Sequence, residues 1–181
     1  GSGIPGNRDG LGLYARFNAP SDISLGPQNK FLYLLDEGNN AIKKISLKTQ
    51  ETITYIDFKT TFKNNFRGSL PDGFSKLKYK NGKLYLIEGN GRGLWILDNR
   101  NLQKICCQGY FKNEFNIIDV DFYENKPVII TKGENSLSIL NGGKWESLLS
   151  WSKEEDFDSV FINGDNTGLA SSTTQKFRLL N

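Results

Sequence analysis

The sequence predicts an all-β fold made of repeated four-stranded antiparallel sheets. Short runs rich in β-branched and aromatic residues are separated by Gly, Asn and Asp turns at intervals of roughly 8–12 residues, and helical periodicity is nearly absent. The order of strands and turns recurs, and its turn glycines Gly38, Gly89 and Gly133 lie 51 and 44 residues apart. Propeller blades repeat at roughly 40–50 residues, so the modules are interpreted as blades of a β-propeller.

Each module has the same internal order. In the first, residues 21–25 alternate between polar and apolar side chains, residues 31–35 form an unbroken apolar run, and residues 41–47 and 52–58 supply two more strands. The second module turns at Asn81-Gly82, a strong hairpin dipeptide, before the apolar run 84–87. Its fourth strand is expected at 104–107.

The chain of 181 residues is therefore predicted to hold about four blades in one propeller domain. The predicted blades are 20–58, 74–108, 117–150 and 158–181, with an insertion at 59–72. The fourth blade lacks its last strand. Two interpretations stay open, because the chain either belongs to a larger propeller or closes as a compact ring by pairing N-terminal residues with the last blade. Open blade edges favour association, so self-association through them is expected if the ring does not close.

The first module resembles an NHL repeat over about residues 3–50. The features that carry the resemblance are a Gly-rich opening, an Asp-Gly pair, an aromatic-Asn-x-Pro stretch, a strand ending in Asp36, an Asn-rich turn and a strand beginning with Ile and lysines. Glu88 and Lys132 are expected to stand where Asp36 stands in the first module. The resemblance implies a six-bladed propeller in typical members, some of which are histidine-dependent metal lyases and some of which bind single-stranded RNA.

The composition excludes several activities. The sequence contains no histidine, so Ser-His-Asp and Cys-His catalysis and His-ligated zinc are excluded. Its two cysteines, Cys106 and Cys107, are adjacent and cannot form a disulfide framework or a structural zinc site by themselves. The net charge of +3 is mild and demands no nucleic-acid partner. No catalytic residue and no cofactor are expected. The compartment stays open, with a secreted or surface location favoured over the cytoplasm.

Two acidic residues are weak candidates for a metal site. Asp119 and Asp121 share one face of a predicted strand, where paired carboxylates can hold calcium or serve acid–base chemistry. The alternative is that they are polar positions on an innermost strand. The stretch 89–93 is rich in glycine but lacks the Lys-Ser or Lys-Thr of a phosphate loop, so it is interpreted as a hairpin turn.

Two basic segments stand out. In the insertion, Phe62 and Phe66 are four residues apart, and so are Lys63 and Arg67, which on a helical turn would give an apolar and a basic face. Such a combination suits single-stranded nucleic acid, but the favoured explanation is a loop whose two phenylalanines pack on the propeller while its charges are solvated. In the second module, lysines at 76, 78 and 80 alternate with apolar residues and put three ammonium groups on one strand face.

These observations predict a non-catalytic scaffold that binds a protein or peptide through its loops, with no membrane span. The alternatives are binding of single-stranded RNA through a basic face, and a calcium-assisted hydrolase or lactonase-like activity. The predicted binding surface combines the loops that connect blades and the loops after the second strand of each blade with the basic insertion. Its members are Arg16, Glu88, Asn90, Arg92, Lys132, Glu134 and Lys176, together with Lys63 and Arg67.

Overall fold

The computed structural model describes residues 1–62, 71–105, 115–152, 154–163, 166–171 and 177–180. These residues form four antiparallel sheets. The strands of the first sheet are β1 (Gly10–Leu11), β2 (Pro20–Leu25), β3 (Phe31–Asp36), β4 (Ala41–Ser46) and β5 (Glu51–Asp57). Those of the second are β6 (Phe74–Lys80), β7 (Lys83–Glu88), β8 (Leu94–Asp98) and β9 (Asn101–Lys104). The third sheet contains β10 (Asn116–Tyr123), β11 (Lys126–Lys132), β12 (Ser136–Asn141) and β13 (Lys144–Ser150), and the fourth β14 (Ser159–Asn163), β15 (Asn166–Ala170) and β16 (Phe177–Leu180).

The described helices are short. Three 3-10 helices span Gly12–Tyr14, Pro27–Asn29 and Glu37–Asn39, and one α-helical turn, α1, spans Phe58–Thr61. Asp57 caps α1 by accepting a hydrogen bond from the Thr60 N–H at 3.0 Å. Neighbouring strands are antiparallel and follow one another along the chain, except that β1 pairs with β5, and the last sheet has three described strands. The predicted all-β propeller of four-stranded blades with an incomplete last blade is thereby confirmed.

The chain divides into two compact units. The first contains Gly1–Gly89 and Trp95–Lys104, and the second contains Asn90–Leu94 and Ile105–Asn181. In the first unit, the buried core lies between the facing sides of the first two sheets, and it includes Leu35, Ile42, Ile56, Leu77 and Leu86. In the second unit, the corresponding core includes Val128, Ile130, Leu137, Val160 and Leu169. Each pair of sheets thus buries the apolar face that a single blade would leave in water.

The innermost strands of the first three sheets share one irregularity. In β2, a β-bulge interrupts the pairing with β3 between Pro20 and Asp22. Equivalent bulges lie between Phe74 and Lys76 in β6 and between Ile117 and Asp119 in β10. The bulges align the three sheets residue by residue, which makes Asp36 equivalent to Glu88 and to Thr131. The expectation that Lys132 stands where Asp36 stands is therefore wrong by one residue.

Left-handed residues at the hairpins explain where the strands end. Asn81 and Gly82 have φ of 49° and 84°, as a two-residue turn of the predicted type requires. Asn99 and Arg100 have φ of 45° and 66°, and they place β9 at Asn101–Lys104. The fourth strand of this blade was expected at 104–107, so it begins earlier in the chain. Residues 106 and 107 lie outside the described residues.

The N-terminal residues belong to the first blade. Gly10 pairs with Thr52 and Leu11 with Glu51, so β1 is the outermost strand of the first sheet. The N-terminal strand therefore pairs with the first blade, whereas the ring-closing alternative expected N-terminal residues to pair with the last blade. The short β1 covers the outer edge of β5, which would otherwise be open to pairing with another chain.

A buried lysine anchors this N-terminal segment. Lys43 on β4 is fully buried, and its Nζ lies 2.9 Å from Asp9 Oδ1 and 2.7 Å from Thr54 Oγ1, with Asn7 Oδ1 as a further acceptor. Burial by itself would raise the pKa of Asp9, but hydrogen bonds from Lys43 and Thr54 outweigh it and lower that pKa. The buried cation is stable because oxygen acceptors surround it.

Residues of the NHL-like stretch also hold the N-terminal segment, at the end of the first blade where β3 turns into β4. Asp36 is fully buried and accepts hydrogen bonds from the Asn18 N–H and from Asn39 Nδ2, both at 2.7 Å. Asn39 Nδ2 also lies 2.9 Å from Gly6 O. The motif residues thus hold the entry to β2, the β3–β4 turn and the N-terminal segment together, which is a structural role.

Candidate functional site

The turn between β7 and β8 packs against β10. Asn90 Oδ1 accepts a hydrogen bond from the Arg92 N–H at 2.8 Å, and Gly91 O accepts one from the Ile117 N–H at 2.7 Å. Gly91 has φ of 70°, and a Cβ there would lie 2.9 Å from Asn116 Cβ, so no other residue fits without rearrangement. The turn fixes the backbone of Arg92, whose side chain is exposed.

Lys132 lies at the same end of the third sheet as this turn. It stands directly opposite Asn116 in the β10–β11 ladder, and Asn116 is the residue that Gly91 contacts. Its Nζ lies 2.8 Å from Asp156 Oδ1, in a half-exposed ion pair with the segment that precedes β14. The structure thus brings Asn90, Arg92 and Lys132 together, and we name this set the loop surface.

The charges on the loop surface are only partly neutralised. Lys132 has Asp156 as its partner, whereas Arg92 forms no ion pair within the part of the chain that the structure describes. Glu134, also predicted for the site, is half-buried in the β11–β12 turn that follows Lys132. Asp156 was missed by the sequence analysis, because nothing local marks an acid 24 residues from its partner.

Glu88 does not belong to an accessible surface. It is buried, and its Oε1 accepts hydrogen bonds from Trp95 Nε1 at 2.7 Å and from Lys104 Nζ at 2.9 Å. The Lys104 ammonium also lies 5.5 Å from the Trp95 ring centroid. These contacts tie β7, β8 and β9 together inside the second blade. The carboxylate of Glu88 is therefore occupied by its own sheet.

The remaining predicted members lie elsewhere. Arg16 is half-buried in the first unit, where it bridges Arg8 in a short antiparallel pair. Three members, Lys63, Arg67 and Lys176, lie outside the described residues. Phe62, a described residue of the insertion, is buried in the core of the first unit. Its ring lies 6.1 Å from that of Phe58.

The carboxylates of Asp119 and Asp121 connect two blades within the second unit. The Val160 N–H donates to Asp119 Oδ2 at 2.9 Å, and the Ile162 N–H donates to Asp121 Oδ2 at 2.8 Å. The second oxygen of Asp119 accepts from the Val120 N–H at 2.9 Å. Both candidates for a metal site therefore act as hydrogen-bond acceptors for the innermost strand of the next blade.

The first unit repeats this arrangement. Asp22 Oδ2 accepts from the Leu77 N–H at 2.8 Å, Ser24 Oγ accepts from the Tyr79 N–H at 2.9 Å, and Asp22 Oδ1 accepts from the Ile23 N–H at 2.9 Å. We name Asp22 and Asp119 the blade clamps. Over the described ranges no group of three or more Cys, Asp or Glu residues is placed to hold a metal ion.

An open pocket of about 480 Å³ lies in the first unit beside α1 and the β8–β9 turn. Among the described residues, Arg100 is its one titratable side chain, and its other described lining residues are Thr60, Thr61, Phe62, Asn99, Asn101 and Leu102. The described part of the lining therefore offers hydrogen-bonding groups and one cation.

Solved structures similar to this chain include a WD40 β-propeller domain, a lyase and a protein of unknown function. A protein of unknown function from Bacteroides thetaiotaomicron is 15% identical with a TM-score of 0.67, over 88% of this chain and 46% of that one. Virginiamycin B lyase from Staphylococcus aureus is 16% identical with a TM-score of 0.58, over 83% and 48%. The WD40 β-propeller domain of Doa1 is 11% identical with a TM-score of 0.59, over 92% and 52%.

This chain spans about half the length of these three proteins. At such low identity, the likeness shows the propeller fold alone. No family model and no curated protein matches the sequence. The described helices are all too short to span a bilayer.

Proposed function

We propose that this chain is a non-catalytic β-propeller of the NHL-repeat type that binds a protein or peptide partner through its loop surface. The observation that carries the proposal is the exposed guanidinium of Arg92, which forms no ion pair with any described residue and stands on a turn held by the hydrogen bonds of Asn90 and Gly91. A cation held on a rigid turn loses little freedom when a partner binds, which favours recognition by a preformed surface.

The described carboxylates that were candidates for the site form hydrogen bonds within the blades, which supports a binding role over a catalytic one. Glu88, Asp119 and Asp121 each accept hydrogen bonds from their own blade or the next one. A calcium ion at Asp119 and Asp121 would compete with these backbone N–H donors for the carboxylate oxygens, which disfavours calcium binding there. The absence of histidine from the sequence removes the usual general base at neutral pH. A location outside the cytoplasm stays a prediction.

The direct test is site-specific photo-crosslinking. A benzophenone side chain is introduced in place of Arg92 and, as the control, in place of Lys144, an exposed residue at the β12–β13 turn, which is the end of the third sheet opposite to Lys132. We expect position 92 to give a discrete adduct with one protein or peptide and position 144 to give none. The adduct identifies the partner for quantitative binding measurements.

With the purified partner, Arg92→Glu is expected to weaken binding by about tenfold or more, because it replaces a charge-assisted hydrogen bond with repulsion. Lys144→Glu should change neither affinity nor stability. Equal binding by both variants would count against the loop surface. Binding of oligouridylate with a steep salt dependence that Arg92→Glu abolishes would support the RNA-binding alternative instead.

A further inference from the structure

The innermost strands of each unit are joined by the same pair of hydrogen bonds. In the first unit, side-chain oxygens at positions 22 and 24 of β2 accept from the Leu77 and Tyr79 N–H groups of β6. In the second unit, oxygens at positions 119 and 121 of β10 accept from the Val160 and Ile162 N–H groups of β14. Leu77 and Val160 are buried. An extended strand with oxygen acceptors two residues apart is therefore what covers β6 and β14.

The equivalent side of β2 is uncovered. The bulges align β2 with β6, so Ile23 is equivalent to Leu77. Leu77 is 2% exposed, whereas Ile23 and Leu25 are 59% and 50% exposed. Leu32 lies directly opposite Leu25 and Ile45 directly opposite Leu32, and both are half-buried. Because directly opposed side chains share one face of a sheet, these residues form an apolar patch. We name Ile23, Leu25, Leu32 and Ile45 the open face.

The backbone of β2 offers a hydrogen-bond donor beside the open face. The Gly26 N–H donates to Phe31 O at 2.8 Å, and ladder bonds of an antiparallel pair fall on alternate residues. The N–H groups of Ile23 and Leu25 therefore point away from β3. The Ile23 N–H is satisfied by Asp22 Oδ1 at 2.9 Å, but no described residue accepts from the Leu25 N–H. The equivalent N–H groups of β6 and β14 each have a side-chain oxygen from the neighbouring strand.

The other described innermost strands do not carry the acceptors that the open face lacks. Lys78 on β6 and Phe161 on β14 occupy the position equivalent to Ser24, and neither side chain accepts a hydrogen bond. The acceptors of β2 and β10 are already bound to β6 and β14. A second copy of this chain has the same strands in the same state. The complementary strand is therefore expected from a different polypeptide.

We propose that the open face binds a β-hairpin of a partner protein whose first strand carries Asp or Ser two residues apart and whose second strand carries apolar residues. One oxygen of the hairpin accepts from the Leu25 N–H, which sets the register. Its apolar residues pack on the open face, as Val128 and Ile130 pack in one core cluster with Val160. The inference goes beyond the proposed function, because the open face shares no residue with the loop surface.

The experiment uses fluorescence anisotropy with the full chain and a labelled cyclic peptide. The peptide has the sequence of residues 117–131, since this hairpin contains the clamp oxygens and the apolar residues that cover Val160. The control peptide has alanine at positions 119 and 121. The variants of the chain are Ile23→Asp and Leu25→Asp. Their matched control is Leu148→Asp, because Leu148 is a 55% exposed residue on β13 of the second unit.

We expect the hairpin peptide to bind the wild-type chain and the alanine peptide to bind about tenfold more weakly, because the charge-assisted hydrogen bond is lost. Ile23→Asp and Leu25→Asp should each weaken the hairpin peptide by a similar factor, since the new carboxylate removes apolar contact and repels the acidic strand. Leu148→Asp should stay within about twofold. If Leu25→Asp does not fold, Leu25→Ser carries the test with the same expected direction.

Three results with the peptides would overturn the inference: no binding to the wild-type chain, equal binding of the alanine peptide, or unchanged binding in both aspartate variants. Light scattering tests the other occupant. Self-association of the wild-type chain that Leu25→Asp abolishes would assign the open face to a second copy and refute the inference.

The Arg92→Glu variant separates this inference from the proposed function. It should bind the hairpin peptide as the wild-type chain does, and loss of binding in Arg92→Glu would place the peptide on the loop surface and refute the role of the open face. Crosslinking at position 92 that survives in Leu25→Asp would leave the proposed function intact whatever the peptide assay shows.

Discussion

Removal of the Asp119 carboxylate should separate its role as a blade clamp from a role as a metal ligand. Its two oxygens accept hydrogen bonds from the Val120 and Val160 N–H groups, each at 2.9 Å. A hydrogen bond to a charged group contributes about 1.5–3 kcal/mol, and the half-buried position reduces that value. Asp119→Ala should therefore lower the free energy of unfolding by about 3 kcal/mol, and Asp119→Asn, which keeps one oxygen, by roughly half as much.

Urea unfolding followed by tryptophan fluorescence measures this loss, with Glu154→Ala as the control. Glu154 is an exposed acid of the same unit, and its removal should change the unfolding free energy by less than about 0.5 kcal/mol. Hydrogen exchange supplies a second, local measurement, because the Val160 amide should lose protection in the Asp119 variants before the rest of β14 does.

The reasoning fails if Asp119→Ala unfolds at the same urea concentration as the Glu154 control. It also fails if millimolar calcium stabilises the wild-type protein and the Asp119 variants lose that effect, since a ligand stabilises the state that binds it. The second result would show that Asp119 holds a metal ion rather than the next blade.

Three further predictions concern the first unit. Asp9→Ala should lower the free energy of unfolding by about 3 kcal/mol because it leaves Lys43 buried without a counter-ion, as urea unfolding would show. Because the pKa of Asp9 is lowered in the folded state, its contribution to stability is present at pH values above its ordinary pKa and is lost as the pH falls through the lower folded-state pKa. An acid titration of stability that is identical in Asp9→Ala would contradict this. Burial raises the pKa of Tyr33 from 10.0 to about 12, so stability should fall between those pH values by up to about 3 kcal/mol, and a Tyr33→Phe variant should show a smaller fall. A Cβ at Gly38 would lie 2.6 Å from Asn18 Nδ2, so Gly38→Ala should lower the melting temperature, and a melting temperature equal to that of the wild type would refute the close packing.

The sheets and turns were predictable because their signals are local. Asn81-Gly82 adopts the left-handed conformations that a tight hairpin needs, and the apolar run at 84–87 is buried in the middle of its sheet. The fourth strand of that blade was misplaced because the Asn99-Arg100 turn contains no glycine. Arginine rarely adopts positive φ, so composition alone gives no sign of this turn.

The candidate site was less predictable. Asn90, Arg92 and Lys132 come together as the loop surface, but Glu88, one position before the same turn, points into its own blade. The difference arises because side chains alternate between the two faces of a strand, so an error of one residue reverses exposure. The same one-residue ambiguity led to the incorrect equivalence between Asp36 and Lys132, since only the bulges reveal the true alignment.

By itself, the sequence determined the all-β class, the order of strands within a blade, the period of the modules and the absence of histidine chemistry, all of which depend on neighbouring residues or on composition. Only the tertiary structure decided what the charged side chains do. Asp119 bonds to a residue 41 positions away, and Asn7 to a lysine 36 positions away. A carboxylate or an ammonium group takes its role from whatever oxygen or N–H lies within about 3 Å, and folding brings those partners together from distant parts of the chain.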